Sequence, residues 1–163
     1  MLLSRHSLQW KRLIEMAVQV KVNGIDTLIK NIEQYSEDVQ VGILMEIKSW
    51  ADRTKIAAVN KVPVKTGDLQ STIRTEVSNN GLTWSVLAGG IKGVNYAPYV
   101  EFGTGAGVDQ TFLAEYGLVE YASDFRGREP AKYPIPANSY LYRNARLEFE
   151  KTLANIKKLL QTQ

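Results

Sequence analysis

The sequence contains no cysteine and only one histidine, His6, among its 163 residues. Without thiols, the chain can form neither disulfides nor thiolate metal sites. With a single imidazole, one chain cannot assemble a Ser-His-Asp triad, a Cys-His pair or a histidine-rich zinc centre. We therefore interpret His6 as a solvated residue near a terminus, and we expect no metal and no cofactor.

The sequence also lacks a long apolar run and a strong charge imbalance. No stretch reaches the roughly eighteen apolar residues that a membrane span needs, so no membrane partner is expected. The net charge of +3 permits contact with nucleic acid but does not require it. The length favours one domain, and we expect it to cover residues 16–163. Residues 1–15 are expected to be an N-terminal extension, with Met16 as a candidate true start.

Hydrophobic periodicity predicts one strand and two helices in the first part of the chain. Apolar and polar residues alternate from Ile14 to Val22, which is the period of a half-buried strand. Asn23-Gly24 then marks a turn, and a first helix is expected from Asp26 or Thr27 to about Tyr35. A second, longer helix follows. It ends at Val62, because proline disfavours helical geometry in the residue before it.

The second part of the chain predicts a hairpin and a final helix. Strands are expected at Leu69–Val77 and Leu82–Ala88, around the turn signal Asn79-Asn80-Gly81. Tyr96–Phe102 is compatible with a short helix or a strand. Residues 103–138 show little periodicity and predict a long irregular loop. A helical pattern with Ser139 as a candidate cap runs to the end.

These elements define a fold class. We expect an α+β domain, with two N-terminal helices and one C-terminal helix packed on a small, largely antiparallel sheet.

The glycines 103, 105 and 107 form a G-x-G-x-G pattern that also occurs in nucleotide-binding loops. A dinucleotide site requires these glycines to follow a strand and to open a helix. Here the segment VDQTF follows, and the Gly-Lys-Ser/Thr of a P-loop is absent. We therefore interpret the pattern as a flexible turn.

Two further groups of residues leave alternatives open. Asp68 and Glu101 are either a general acid–base pair or structural carboxylates. In the structural alternative, Asp68 lies in a turn and bonds nearby backbone groups, and Glu101 is buried or at an interface and paired with an Arg or Lys. Arg126, Arg128 and Lys132 lie beside Phe125 and Tyr133. That group is either a solvated loop or a surface for DNA or a protein neighbour.

Taken in order, four segments resemble a known family. They are GIDTLI (24–29), PVKTGDLQSTI (63–73), YAPYVEFGTG (96–105) and YPIPANSYLYRNA (133–145). Together they are similar to the neck and tail-completion proteins of tailed bacteriophages, typified by gene product ten of phage HK-ninety-seven. The similarity covers about residues 16–160. Two departures are the loop 105–132 and Tyr140-Leu141, where members often carry Phe-Leu.

The resemblance implies a structural virion protein without enzymatic activity, found at the head–tail junction and in the host cytoplasm during assembly. It implies a ring on the order of six or twelve copies that adjoins head-closure or connector proteins and tail terminator or tail tube proteins. Double-stranded DNA would pass through the lumen without sequence specificity, near Arg126, Arg128 and Lys132. The implied structural and assembly residues are Pro63, Thr66, Gly67, Leu69, Tyr96, Ala97, Glu101, Phe102, Gly103 and Thr104.

Three further expectations accompany this resemblance. Glu101 would fix neighbouring turns by hydrogen bonding or dock to a neighbouring subunit. The segment 103–138 is expected to be an assembly loop. Its part from Gly103 to Lys132 is expected to lie outside the core of the monomer and to become ordered between subunits. A tail terminator or another protein of the tail-tube fold group is the main alternative. A DNA-binding regulator or an enzyme is a more remote one.

Overall fold

A computed structural model describes residues 17–21, 35–78, 81–123, 125 and 134–161. The predicted N-terminal extension and nearly all of the predicted first helix lie outside these residues. So do the three basic side chains that were assigned to DNA contact, Arg126, Arg128 and Lys132.

The described strands form one small antiparallel sheet. Its strands are β1 (Ala17–Lys21), β2 (Arg74–Val77) and β3 (Trp84–Gly89), in the order β1-β3-β2. The hairpin partners β2 and β3 pair from Arg74 opposite Leu87 to Val77 opposite Trp84. With the helices given next, this sheet confirms the predicted α+β class.

Two long helices and several short ones account for most of the other described residues. The long helices are α1 (Glu37–Lys61) and α6 (Tyr142–Gln161). The short ones are α2 (Asp68–Ser71), α3 (Ala97–Phe102), α4 (Gln110–Glu115) and α5 (Val119–Ser123), with one 3₁₀ turn at Gly105–Gly107. As predicted, α1 ends just before Val62-Pro63, because the proline ring disfavours a helical residue ahead of it.

The described residues divide into two compact units, each made of separate stretches of chain. The first unit contains Val62–Thr72 and Ala88–Tyr140, together with residues up to Val18. The second unit contains Gln19–Lys61, Ile73–Leu87 and Leu141–Gln163.

Within the second unit, α1 and α6 pack against each other in antiparallel directions. The indole Nε1 of Trp50 donates to the carbonyl of Ala145 at 2.9 Å. Toward the opposite end of the pair, the Asn155 amide donates to Glu46 at 3.1 Å. The apolar core beside these contacts consists of Val39, Ile43, Ile47 and Ile156. In α6 the buried side chains are Ala145, Thr152 and Ile156. Because the buried residues of both helices recur at helical spacing, both helices were predictable from sequence.

The predicted strand Leu69–Val77 is wrong over its first half. Residues 68–71 form the helical turn α2, and extended pairing begins only at Arg74. The buried Thr72 hydroxyl donates to the carbonyl of Leu69 at 2.6 Å and accepts from the backbone N–H of Gly89 at 2.9 Å. These bonds stabilise the turn, whereas the pattern of apolar residues indicated only that Leu69 and Ile73 are buried.

The prediction that residues 103–132 lie outside the core of the monomer is wrong for residues 105–123. This stretch contains the 3₁₀ turn, α4 and α5, and the Asp109 carboxylate caps α4 by accepting from Phe112 N–H at 2.9 Å. Its apolar side chains Phe112, Leu113, Leu118 and Ala122 are buried in the single chain. Helices of five or six residues are too short to show a clear hydrophobic period, so the sequence pattern missed them.

A buried hydroxyl in α1 leads to a stability prediction. Thr54 is fully buried, and among the described residues its Oγ1 has no hydrogen-bond partner. Burying an unsatisfied hydroxyl costs about 1–3 kcal/mol, so Thr54→Val should raise the free energy of unfolding by about 1 kcal/mol. Urea denaturation of the purified protein measures this change.

The matched control is Thr152→Val in α6. Thr152 is also buried, but its hydroxyl accepts a hydrogen bond from Arg53 at 2.7 Å. That substitution should lower stability. If both variants lose stability to the same extent, the assignment of Thr54 as an unsatisfied group is wrong.

Candidate functional site around Glu101

The helix α3 settles the choice left open for Tyr96–Phe102. It begins after Tyr96 with a proline in its first turn, where the missing N–H of proline costs no hydrogen bond. Ala97, Glu101 and Phe102 are buried, whereas Tyr96 is 42% exposed. The helix therefore turns one carboxylate, Glu101, into the interior of the first unit.

Phe102 anchors the end of α3 through an aromatic cluster. Its ring lies 5.8 Å from that of Tyr121 and 6.3 Å from that of Phe125, measured between ring centroids. The Tyr121 hydroxyl donates to the carbonyl of Ala17 at 3.3 Å. Packing around Phe102 therefore joins α3, α5 and the start of β1.

A set of hydrogen bonds, which we call the clasp, joins residues 100–107 to residues 135–138. Thr104 N–H donates to the Ile135 carbonyl at 2.9 Å, and Ile135 N–H donates back to the Thr104 hydroxyl at 2.9 Å. Ala137 N–H donates to the Gly107 carbonyl at 2.8 Å, and Asn138 N–H donates to the Val100 carbonyl at 2.8 Å. These are mostly backbone bonds between segments about thirty residues apart in sequence.

The clasp explains two of the three glycines in the G-x-G-x-G pattern. A Cβ on Gly103 would lie 2.4 Å from the Gly107 carbonyl oxygen, and Gly103 also has a φ of +77°. A Cβ on Gly107 would lie 2.2 Å from the Ile135 carbonyl oxygen. The glycines therefore admit another stretch of backbone, and the space that a phosphate would need is occupied by protein.

The helix α3, and not a strand, precedes these glycines, so the nucleotide-loop context is absent here. Interpreting the pattern as a turn was correct. Describing that turn as flexible was wrong, because the clasp holds it on both sides.

Glu101 lies near the buried phenol of Tyr140. Glu101 is 0% exposed and Tyr140 is 1% exposed. Burial first, and then the electrostatic effects of Glu101 and Tyr96, raise the pKa of Tyr140 well above its ordinary value of 10.0. The phenol therefore stays protonated in the folded protein, and a neutral O–H is compatible with a carboxylate in a dry environment.

The Pro63–Leu69 segment forms an exposed turn followed by a buried anchor. Thr66 donates its hydroxyl proton to the Asp68 carboxylate, and Gly67 between them has a φ of +85°. Pro63, Thr66 and Asp68 are exposed, and Leu69 is buried at the start of α2. The turn predicted from Thr66-Gly67-Asp68 is therefore present, and its carboxylate is engaged locally.

The structure thus brings some of the predicted residues together. Glu101, Phe102, Gly103 and Thr104 form one continuous stretch that leads into the clasp. Sequence reasoning missed Tyr140 as a neighbour of Glu101. Its only signal was the departure from Phe at that position of the resembling segment.

The described residues contain no group of three or more His, Asp or Glu side chains placed to hold a metal ion. Of the helices in those residues, none has the length and apolar character to cross a membrane. Comparisons of the chain with protein-family models, curated proteins and solved structures found no match.

The close approach at Gly107 leads to a second stability prediction. Gly107→Ala should lower the free energy of unfolding by about 2 kcal/mol or more, because the new methyl group overlaps the Ile135 carbonyl. Gly117→Ala is the control, since its Cβ would meet nothing within 4 Å and only its φ of +65° opposes it. That variant should lose about 1 kcal/mol. Equal losses in chemical denaturation would argue against the clasp.

The raised pKa of Tyr140 leads to a prediction about alkaline stability. The folded state holds the phenol proton more tightly than the unfolded state does. Its contribution to stability is therefore complete below the unfolded value of 10.0 and is lost as the pH rises toward the folded pKa. Tyr140→Phe should reduce the loss of stability above that pH by up to about 1.4 kcal/mol per pH unit.

Urea denaturation at a series of pH values from 9 upward measures the slope of stability against pH. Tyr116→Phe, which removes another phenol of the first unit, is measured alongside as the control. Identical slopes for Tyr140→Phe and wild type would contradict the prediction.

Proposed function

We propose that the chain is a structural protein of the head–tail junction of a tailed bacteriophage. In this proposal, copies of the chain form a ring that joins the head connector to the tail and lets DNA pass. The sequence motifs resemble those of the neck and tail-completion proteins. Support from the structure comes from what those motif residues do within the folded chain.

One observation carries the proposal: the motif segments make contacts with each other within the same chain. The segment 96–105 supplies α3 and the turn, and the segment 133–145 supplies the backbone that the turn accepts. Gly103 and Gly107 allow the close contact between the two backbones, and the Glu101 carboxylate is buried. Residues used in this way support an architectural role, and the molecule's function is then expected at its surfaces.

Each unit offers exposed apolar side chains that subunit contacts can cover. In the first unit Val64, Tyr96, Val119 and Ile135 are exposed. In the second unit the exposed set includes Val41, Met45, Ile56 and Leu147. A ring requires two different complementary surfaces on every subunit, and two separate apolar sets are compatible with that requirement.

The environments of the two candidate catalytic carboxylates favour the structural interpretation over an enzyme. Glu101 is fully buried, so a substrate has no access to it in this conformation. Asp68 is exposed, but it accepts the hydrogen bond from Thr66 within its own turn. A general acid or base has to reach the proton that it transfers, and the buried position of Glu101 does not provide this.

The proposal includes contact with DNA by the basic side chains Arg126, Arg128 and Lys132. Contacts from such side chains would be made to phosphates, would ignore base sequence and would weaken with added salt. DNA that has to slide through a ring is compatible with a few weak contacts. Tight, sequence-selective binding by the isolated chain would instead favour a DNA-binding regulator.

Disruption of the gene in the genome that encodes it tests the proposal. We expect DNA-filled heads and complete tails to accumulate separately, as seen by electron microscopy of the lysate, with wild-type expression in trans restoring joined particles. Tails of abnormal length would favour the tail-terminator alternative. Normal numbers of joined, infectious particles would contradict the proposal.

Complementation with Glu101→Gln extends the same experiment to the enzyme alternative. For a structural role, the variant restores particles in proportion to its folded amount, because only packing around Glu101 changes. A variant that folds and assembles normally but loses a measurable turnover would favour the enzyme.

A further inference from the structure

The exposed side of α6 is strongly basic. The helix contains five basic and two acidic residues, whereas α1 contains four of each. All five bases are exposed, and at 3.6 residues per turn they lie within an arc of about 140°, opposite the buried side of the helix. We call this side the outer face of α6. Its bases are Arg143, Arg146, Lys151, Lys157 and Lys158.

Two carboxylates compensate only part of this charge. The Glu150 carboxylate lies 3.8 Å from the Arg146 guanidinium, and both side chains are more than half exposed. The Glu148 carboxylate lies 2.6 Å from the Lys151 ammonium, but it also accepts a hydrogen bond from Arg53 of α1 at 3.0 Å. The outer face therefore keeps a net positive charge.

Helix stability does not explain where these bases stand. Positive side chains stabilise the C-terminal end of a helix and destabilise its N-terminal end, because the helix dipole is positive there. Lys157 and Lys158 agree with this rule, but Arg143 and Arg146 stand near the N-terminal end of α6, which has no acid in its first turn. The helix α1, by contrast, begins with two acids. Bases at the unfavourable end are expected where they meet an anionic partner.

The bases are arranged in two rows that suit double-stranded DNA. On a helical wheel, Arg146 and Lys157 lie on one flank of the outer face, Lys151 and Lys158 lie on the other, and about 100–140° separates the flanks. A helix with its side chains is about 10–12 Å wide, close to the roughly 12 Å of the DNA major groove. Residues 143–158 extend over about 22 Å, and duplex DNA carries one negative charge per about 1.7 Å of its axis. Phosphates are therefore available along the whole face.

We propose that the outer face of α6 binds the phosphate backbone of double-stranded DNA, with one row of bases toward each strand of a groove. The choice of DNA as the partner rests on the proposed function, in which DNA passes through the ring. Between the rows lie Leu147, Glu150 and Ala154. The two apolar side chains have no polar atom to read base edges, and Glu150 repels phosphate. Binding is therefore weak and independent of base sequence, as DNA that slides requires.

An anionic membrane fits this face less well than DNA does. A helix that lies on a membrane inserts a continuous apolar side between the lipids. In α6 that side is already used, because its residues Ala145, Thr152 and Ile156 are buried in the chain. The exposed Leu147 and Leu153 are about 120° apart around the helix, so they do not form a second apolar side.

Fluorescence anisotropy of the full chain with two short duplexes of unrelated sequence tests the proposal. At about 50 mM salt we expect a dissociation constant in the micromolar range, equal for the two sequences. Between about 50 and 200 mM salt, the slope of log affinity against log salt concentration should be about −3 to −4, as roughly four phosphate contacts give.

Lys157→Gln removes one of these contacts. The affinity should fall about tenfold at about 50 mM salt, and the salt slope should become less steep by about 1. Lys55→Gln is the matched control, because it removes the same charge from α1 of the same unit. Lys55 is two positions from Arg53, which bonds α6, and therefore lies about 160° away from it around α1. Its substitution should leave the affinity and the slope unchanged.

Glu150→Gln tests the face in the opposite direction. Removal of the carboxylate between the rows should strengthen binding about threefold or more, and a loss of folding cannot produce such a gain. Asp52→Asn is the control. Asp52 also belongs to an exposed ion pair one helical turn long, with Lys48 at 2.9 Å, but it lies on α1. Its substitution should leave the affinity unchanged.

Three outcomes would overturn the proposal. They are no binding to either duplex at about 50 mM salt, equal effects of Lys157→Gln and Lys55→Gln, and tighter binding to phosphatidylserine vesicles than to DNA. Circular dichroism and thermal melting establish that each variant is folded before its binding is interpreted.

The gene disruption described above separates this inference from the proposed function. If wild type does not bind DNA but head–tail joining requires the gene, only the DNA-binding role of α6 is wrong. If the outer face of α6 binds DNA but joined particles form without the gene, the proposed function is wrong and the DNA-binding surface stands.

Discussion

The close approach of two backbone segments at Gly107 and Ile135 is the constraint on which the first unit depends. A side chain at position 107 would overlap the Ile135 carbonyl, so the two segments meet only because glycine is there. Once they meet, Thr104 and Ile135 bond each other in both directions. The end of α3 is then held by residues far along the chain.

This arrangement also places a phenol near the carboxylate in the interior. α3 turns Glu101 inward, and Tyr140 lies near it shortly after the last residue of the clasp. Burial and the neighbouring Glu101 raise the pKa of Tyr140, so this neighbour is a neutral phenol. The segment that closes the turn therefore also leads to the buried neighbour of Glu101.

The second unit uses a different principle. Its two long helices pack through apolar stripes, and polar contacts such as that between Trp50 and Ala145 add to this packing. The packing of α1 against α6 buries one side of each helix. The other side is left to solvent or to partners. In the part of the chain that the structure describes, Val41, Met45 and Ile56 of α1 are exposed, and Lys48 and Asp52 of the same helix form an ion pair.

The sequence by itself determined the parts of the structure that repeat a local pattern. The stripes of α1 and α6 have the helical period, Pro63 sets the end of α1, and β3 follows a recognisable hairpin signal. In the candidate site, Thr66-Gly67-Asp68 was predictable as a turn because its residue types favour one locally.

The tertiary structure alone decided which residues meet across long sequence separations. The partner of Gly107 is Ile135, the neighbour of Glu101 is Tyr140, and Thr72 bonds to Gly89. None of these contacts has a periodic signal, because each depends on the backbone path of a segment that is remote in sequence.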